Sequence, residues 1–438
     1  MNLQSNRREF LKHSALISAG FWLGRSSAMA KGRSPNDKLN IGIIGVHSRG
    51  AANMGAVATT ENIAALCDVN EDFLAEAAKK YPQAKTYADW RKLVDQKDLD
   101  AVVVSTTEHT HALASIWAMK RGLHVYCEKP LAHSVHEARV MRETSKKMKV
   151  ATQMGTQIHA GENYRRVVEL IQSGAIGPVR EAHAWVEQGI EGPRSRPPEQ
   201  MPVPRNLNWD LWIGPAPMRP YHDCYFVKKS MSWQNWWNFG NGALGDMGSH
   251  IIDLPFWALK LQAPLTVEAE GSEAFRPETY PDYLTVRWEH PARGKMPPLK
   301  LTWYDGKESP KRLKPVEGID LSKWHLGVIF VGEKGTLVAN YSKLFLLPET
   351  DFKNFQPPKP WLKPSLGHHQ EWIHACKTGA PTLCNFDYSG SLVEHNLLGT
   401  VAFRTGKKLQ WDPKKLKATN CPEADQFIRG AYREGWTL

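Results

Sequence analysis

From Leu39 onward the sequence alternates short apolar runs with longer small-residue or amphipathic segments, and the first junction is closed by the turn Gly45-Val46-His47-Ser48-Arg49-Gly50. We expect strands at 39–45, 63–67, 101–104 and 123–127, and helices at 50–58, 71–80, 111–121 and 134–148. Short strands separated by helices cannot pair as hairpins, so this half of the chain must form βαβ units and a parallel sheet. In an open sheet of that kind ligands bind at the carboxyl ends of the strands, and the functional residues are sought there.

The turn at 45–50 lies where a dinucleotide fold lets a pyrophosphate approach backbone N–H groups at a helix N-terminus. Gly45, His47, Ser48, Arg49 and Gly50 are therefore candidate cofactor contacts. The turn departs from G-x-G-x-x-G at its second glycine, which is His47, so that position is expected to carry a side chain in a left-handed conformation. Asp68 closes the second apolar run, where a carboxylate accepts hydrogen bonds from the adenosine ribose and repels a 2′-phosphate; NAD is expected over NADP. Its competing role is to cap the helix that starts near Glu71.

Composition narrows the alternatives. The chain has 438 residues, 42% of them hydrophobic and 23% charged, which suits a globular protein with more than one domain. The six cysteines lie far apart with no C-x-x-C pair, against a zinc ribbon or a dense disulfide framework. The formal charge of +11 is spread over the chain, so no nucleic-acid partner is expected, and no apolar run long enough to span a membrane is visible. Part of the excess falls in residues 1–30, where Arg7, Arg8, Lys12 and Arg25 face Glu9 alone. Arg7-Arg8-Glu9-Phe10-Leu11-Lys12, a mildly apolar stretch and Ala28-Met29-Ala30 together resemble a twin-arginine signal, which implies export to the periplasm or beyond in an already folded, cofactor-bearing state.

Glu128-Lys129-Pro130 follows the strand ending at Cys127 and brings a lysine to the carboxyl edge of the sheet. Further on, Gly240-Asn241-Gly242-Ala243-Leu244-Gly245-Asp246-Met247-Gly248-Ser249-His250 places Asp246 and His250 four positions apart, so on a helix the carboxylate would orient the imidazole as an acid/base pair. The same spacing could serve a metal, but no metal is assigned. Trp209, Trp212, Trp233, Trp236 and Trp237 precede the glycines, and one or two are expected to line a sugar-binding pocket. His325, His368, His369 and Tyr304 are further polar candidates, read as structural. Helices are expected at 367–377 and 394–405, followed by a basic, loop-like tail that packs on the body or on a neighbouring subunit through Phe427, Tyr432 and Trp436.

The glycine turn, Asp68, the Glu-Lys-Pro motif and the Asp246/His250 pair, in this order and spacing, resemble the Gfo/Idh/MocA oxidoreductases over roughly residues 38–438. The resemblance implies a Rossmann NAD(P)-binding domain at 38–155 and a second α/β domain at 156–438 with a large, mostly antiparallel open sheet, commonly used to form homo-oligomers. It implies that Glu128 and Lys129 belong to the cofactor site, that Lys129 contacts nicotinamide and substrate, and that Asp246 and His250 bind the reacting hydroxyl. The expected activity is NAD-dependent oxidation or reduction of a secondary alcohol of a sugar, cyclitol or glycoside, with His250 taking the proton, Lys129 polarising the oxygen and Asp246 holding His250. Alternatives are a redox-neutral glycoside lyase, hydrolase or epimerase that uses NAD transiently, and a non-catalytic sugar-binding protein.

Overall fold

The computed structural model describes residues 37–189, 193–229, 232–272 and 277–438; the signal-like segment at 1–30, with Arg7 and Arg8, lies outside them. Six parallel strands form the first sheet: β1 (Asn40–Ile44), β2 (Asn62–Cys67), β3 (Lys85–Tyr87), β4 (Ala101–Val104), β5 (His124–Cys127) and β6 (Thr152–Met154), in the order β3-β2-β1-β4-β5-β6. The central strands are apolar on both faces because helices cover both; every residue of β4 is buried. The crossovers are α1 (Arg49–Val57), α2 (Glu71–Lys80), α3 (Glu108–Lys120) and α4 (Val135–Met148). Local signals set their starts: Asn70 accepts from the Asp72 and Phe73 amides, and Ser134 and Glu137 form a reciprocal capping box. The edge strands β3 and β6 were not expected, since three residues each are too few to show a period.

The second sheet has nine strands in the order β13-β12-β11-β7-β10-β9-β8-β14-β15. They are β7 (Val179–Val186), β8 (Thr266–Gly271), β9 (Leu284–His290), β10 (Leu299–Tyr304), β11 (Leu326–Gly332), β12 (Gly335–Ala339), β13 (Leu344–Leu347), β14 (Leu409–Asp412) and β15 (Lys417–Ala418). All neighbours run antiparallel except β7 and β10. This is the mixed α/β architecture the resemblance implied. Between the sheets' motifs runs α5 (Glu162–Gln172), which follows the 3-10 turn Gln157–Ala160.

Packing crosses the division expected at residue 155. Helix α6 (His368–Thr378) returns to the first sheet, where Trp372 and Ile373 join Ile41, Ile43 and Tyr126 in one core. Helix α7 (Phe386–Thr405) begins well before the expected 394, capped by Asn385, and packs on α4 so closely that a Cβ on Gly390 would lie 2.3 Å from Arg142 Cγ. The tail is also more ordered than a loop. It forms β14, β15 and a short helix, then closes on the body: Tyr432 donates to Glu137 (2.7 Å) and Trp117 Nε1 donates to the Thr437 carbonyl (3.1 Å). Among the described residues no helix is long and apolar enough to cross a membrane.

Candidate functional site

At the first turn the backbone has no spare room. Gly45 has φ +86° and a Cβ there would lie 2.4 Å from the Ser105 carbonyl oxygen; at Gly50 it would lie 2.0 Å from that of Gly45. The left-handed residue is Ser48 (φ 51°), not His47, whose ring instead stacks on Phe73 with centroids 3.8 Å apart. No side chain caps the start of α1, and His47, Ser48 and Arg49 are exposed there, so the turn presents an uncapped helix N-terminus with a guanidinium beside it. A pyrophosphate fits that cradle.

Asp68 braces the same turn: Oδ2 accepts from the Val46 amide (3.0 Å) and Oδ1 from the Asn70 amide (2.9 Å). It is not the cap of α2, a role Asn70 fills. Burial raises its pKa, although the Val46 and Asn70 amides pull it down. A carboxylate oxygen takes more than one donor, so ribose hydroxyls fit here too. A second segment lies alongside: the Glu71 amide donates to the Asn206 carbonyl (2.8 Å), the Asn208 amide to that of Val69 (2.9 Å), and Leu207 and Val69 pack on one aromatic cluster. Residues 206–208 therefore clasp the loop that follows Asp68.

Glu128 departs from the expected cofactor contact. It is buried, accepting from Asn53 Nδ2 and Gln157 Nε2 (both 2.9 Å) and from the Lys129 amide (3.2 Å), and a Cβ on Gly155 would lie 2.6 Å from its carboxyl carbon. Its carboxylate braces the loop from below. The Lys129 ammonium crosses to the second motif and forms an ion pair with Asp246 Oδ1. Gln188 Nε2 donates to Asp246 Oδ2 (3.2 Å).

The second motif does begin a helix at Gly242, but it breaks into turns at Gly242–Asp246, Gly248–Ile251 and Asp253–Ala258. The glycine entry is required, because Gly242 has φ +57° and a Cβ would lie 2.2 Å from the Tyr280 ring. The expectation that Asp246 holds His250 by a hydrogen bond is corrected: Asp246 pairs with Lys129, His250 Nδ1 is buried without a partner, and Nε2 has none among the described residues but is not sealed. The backbone around His250 is pinned instead, with Thr156 Oγ1 donating to the Ser249 carbonyl (3.3 Å) and the Tyr164 hydroxyl to that of His250 (3.2 Å).

Charge follows from this arrangement. Burial pulls the Lys129 ammonium down, but Asp246, Glu128 and Glu108 outweigh it, and its pKa ends above the ordinary lysine value. For Asp246 burial is outweighed by Lys129, and the pKa falls. Burial, with Lys129 and Arg49 nearby, pushes His250 down to about 3 although Asp246 opposes this. At neutral pH the site therefore holds an ammonium, a carboxylate and a neutral imidazole with one free lone pair. Such a set polarises an alcohol oxygen and accepts its proton.

Several residues were missed by the sequence. Glu108, buried, receives the Asn241 amide (3.1 Å) and fixes the start of the second motif; Asn53 and Gln157 hold Glu128; Asp253 accepts from His159 Nδ1 (2.9 Å) and from Tyr388 (2.7 Å). A glutamate opening α3 and a histidine inside a short turn carry no local sign of these long-range contacts. Four of the five tryptophans expected near a sugar pocket are buried, and Trp233 is half-buried beside their cluster. Trp209 and Trp212 stack (4.8 Å) in a buried cluster with Tyr225, Trp236 and Phe239, and Trp237 is buried elsewhere. His368 faces the Met154 carbonyl (2.7 Å), His369 lies 3.0 Å from Asn53 Oδ1, Tyr304 contacts His183 (3.3 Å) and His325 is exposed beside Glu187. Among the described residues no group of three or more His, Cys, Asp or Glu side chains is arranged to hold a metal.

Two family profiles match the chain. Residues 39–156 match the oxidoreductase family's NAD-binding Rossmann fold and residues 190–280 its C-terminal alpha/beta domain, both of the GFO_IDH_MocA group. A levoglucosan dehydrogenase of Pseudarthrobacter phenanthrenivorans is 26% identical over 49% of this chain and 50% of its own length. A glycosyl hydrolase family 109 protein of Solibacter usitatus is 31% identical over 40% of this chain and 44% of its own. The chain thus spans half or less of the length of these curated relatives. In structure, a levoglucosan dehydrogenase in complex with NADH and levoglucosan superposes with a TM-score of 0.58 at 18% identity, covering 85% of this chain and 98% of that one, which establishes the shared fold.

Proposed function

On the premise that its two matched regions are those of a GFO/IDH/MocA-family oxidoreductase, we propose that the chain transfers hydride between NAD and a secondary alcohol of a sugar, cyclitol or glycoside. The observation that carries this reading is the meeting of Lys129 and Asp246, from separate motifs, beside a neutral His250. NAD would be held by the turn at 45–50 and by Asp68, and would supply the hydride acceptor. The chain's own groups manage the proton. Lys129, charged, donates to the substrate oxygen; His250 accepts the hydroxyl proton; and Asp246, relieved of part of its bond to Lys129, stabilises the imidazolium.

The signal-like segment supports a further step: the protein is exported through the twin-arginine route with its cofactor already bound, which sequencing the mature N-terminus at Lys31 would check. No soluble nucleotide pool would replace a spent cofactor there, so each hydride removed has to return to the same molecule or pass to a second sugar. The likeness to a glycosyl hydrolase family 109 protein favours keeping the redox-neutral version as a second reading. A substrate deuterated at the reacting carbon, given to protein purified without added nucleotide, tests this. Label in a product with no free NADH supports a retained cofactor; stoichiometric NADH release and an absolute need for added NAD would leave an ordinary dehydrogenase.

A further inference from the structure

Tyr341 lies in the turn between β12 and β13, far in sequence from every motif above, yet the fold carries it to the site. Asn163 Nδ2 donates to the carbonyls of Asn340 (2.8 Å) and Lys343 (3.0 Å), which pins that turn to the start of α5. The next residue of α5, Tyr164, meets the Tyr341 ring edge-on at 5.9 Å and donates its hydroxyl to the His250 carbonyl (3.2 Å). One turn of helix thus fixes the backbone of His250 and the ring of Tyr341 together.

The hydroxyls around it show what a structural tyrosine looks like here. Tyr164 donates to His250, Tyr388 to Asp253 (2.7 Å) and Tyr280 to Asp305 (2.7 Å). The half-buried Tyr341 hydroxyl has no partner among the described residues and is not sealed from solvent. A phenol beside the site with no acceptor in the protein keeps its donor free for a bound molecule in place of water. Burial, with the charges of Asp246 and Asp253 nearby, raises its pKa, so the group stays protonated and can only gain by donating.

We propose that the Tyr341 phenol is a substrate-binding group, donating a hydrogen bond to a hydroxyl of the polyol other than the one held by Lys129 and His250. This rests on the reading of the site as a polyol oxidoreductase. It also assigns the substrate a class: a molecule with at least two hydroxyls, one at the reacting carbon and one able to accept from the phenol.

The test compares Tyr341→Phe with the unaltered protein, each loaded with NAD, titrated with myo-inositol and with levoglucosan while nicotinamide reduction is followed. Because the hydroxyl bonds nothing in the protein, the melting temperature and NAD affinity should be unchanged, while KM for the oxidised polyol rises about tenfold with a smaller change in kcat. Among monodeoxy derivatives of that polyol, one should cost the unaltered protein a similar factor and cost the variant little. Equal KM values for variant and parent, with the parent active, would overturn the proposal alone. A parent that binds NAD but oxidises neither polyol would overturn the proposal together with the reading beneath it.

Discussion

Lys129 and Asp246 are 117 positions apart in the chain and meet as a buried ion pair, so each depends on the other for its charge. Replacing Asp246 by Asn leaves an ammonium without its partner in a site of low polarity. We expect a loss of about 3–5 kcal/mol in stability, read by denaturant unfolding, and a fall in turnover of about 10²–10⁴-fold. The pH dependence follows from the same pair. His250 accepts a proton only when neutral, and its pKa of about 3 keeps it so well below the usual imidazole range. Lys129 donates only when charged, and its raised pKa keeps it so above the usual lysine range. Hence kcat/KM for oxidation should be flat from about pH 5 to 9, with no limb near the ordinary histidine value of about 6.5; such a limb would contradict the lowered pKa of His250. At the cofactor end, Asp68→Ala should weaken NAD about tenfold to a hundredfold and narrow the gap to NADP, measured by titration of both. These residues were legible because each sits at a strand end or a glycine-rich helix start, where residue type and placement agree. Glu108, Gln157 and Tyr341 were not: Glu108 meets Asn241 133 positions away, Gln157 meets Glu128 29 positions away, Tyr341 packs on the ring of Tyr164 from a separate turn, and nothing local marks any of them.

The elements show where periodicity stops carrying information. The parallel strands β1, β2, β4 and β5 were readable as apolar runs, whereas β3 and β6 owe their existence to neighbours that offer an edge. The turns carrying Asp246 and His250 break near Met247, between Gly245 and Gly248 that give little helical support, and the chain breaks again near Ile252, so a shared helical face was an incomplete description. Helix α6 was expected, but its docking on the first sheet depends on Trp372 and Ile373 finding Ile41 and Ile43, a pairing that spans most of the chain. The clasp at 206–208 belongs to this scale as well. It ties the loop after Asp68 through backbone bonds, so cofactor release should require it to open. Leu207→Gly, which removes the side chain that packs on the aromatic cluster as Val69 does, should speed NAD dissociation about tenfold, the cost of roughly one modest contact, and leave kcat unchanged in saturating NAD; stopped-flow displacement would show it.

Across the whole molecule, acid stability is set by groups that oppose each other. Burial holds His109, His250 and His368 at about 3 and His133, His369 and His395 at about 4, so the unfolded chain binds more protons there and stability is lost as pH falls below about 6.5. Burial also raises Glu137 to about 7 and Asp305 to about 6, and these bind protons in the folded state first, adding stability as pH falls towards about 4.5. Between about pH 6.5 and 4.5 the two carboxyls offset only part of the loss that the six histidines cause. Below that the histidines act alone, each still neutral one contributing about 1.4 kcal/mol per pH unit. Unfolding free energies should therefore fall from about pH 6.5 downward with a slope of more than one proton; a flat profile between about pH 6.5 and 4.5 would contradict the burial of the histidines.

The central claim, that hydride leaves a polyol for NAD while Lys129 and His250 handle the proton, is tested most directly by a single turnover. The NAD-loaded protein, mixed with a panel of sugars and cyclitols, is followed by the absorbance of reduced nicotinamide, beside Lys129→Ala and His250→Ala variants with matched NAD occupancy. The account predicts that at least one polyol reduces the bound nicotinamide within the first turnover, even if the hydride later returns, and that each variant does so about 10²–10⁴-fold more slowly with NAD affinity intact. No reduced nicotinamide from any polyol, or equal rates in the variants, would contradict it.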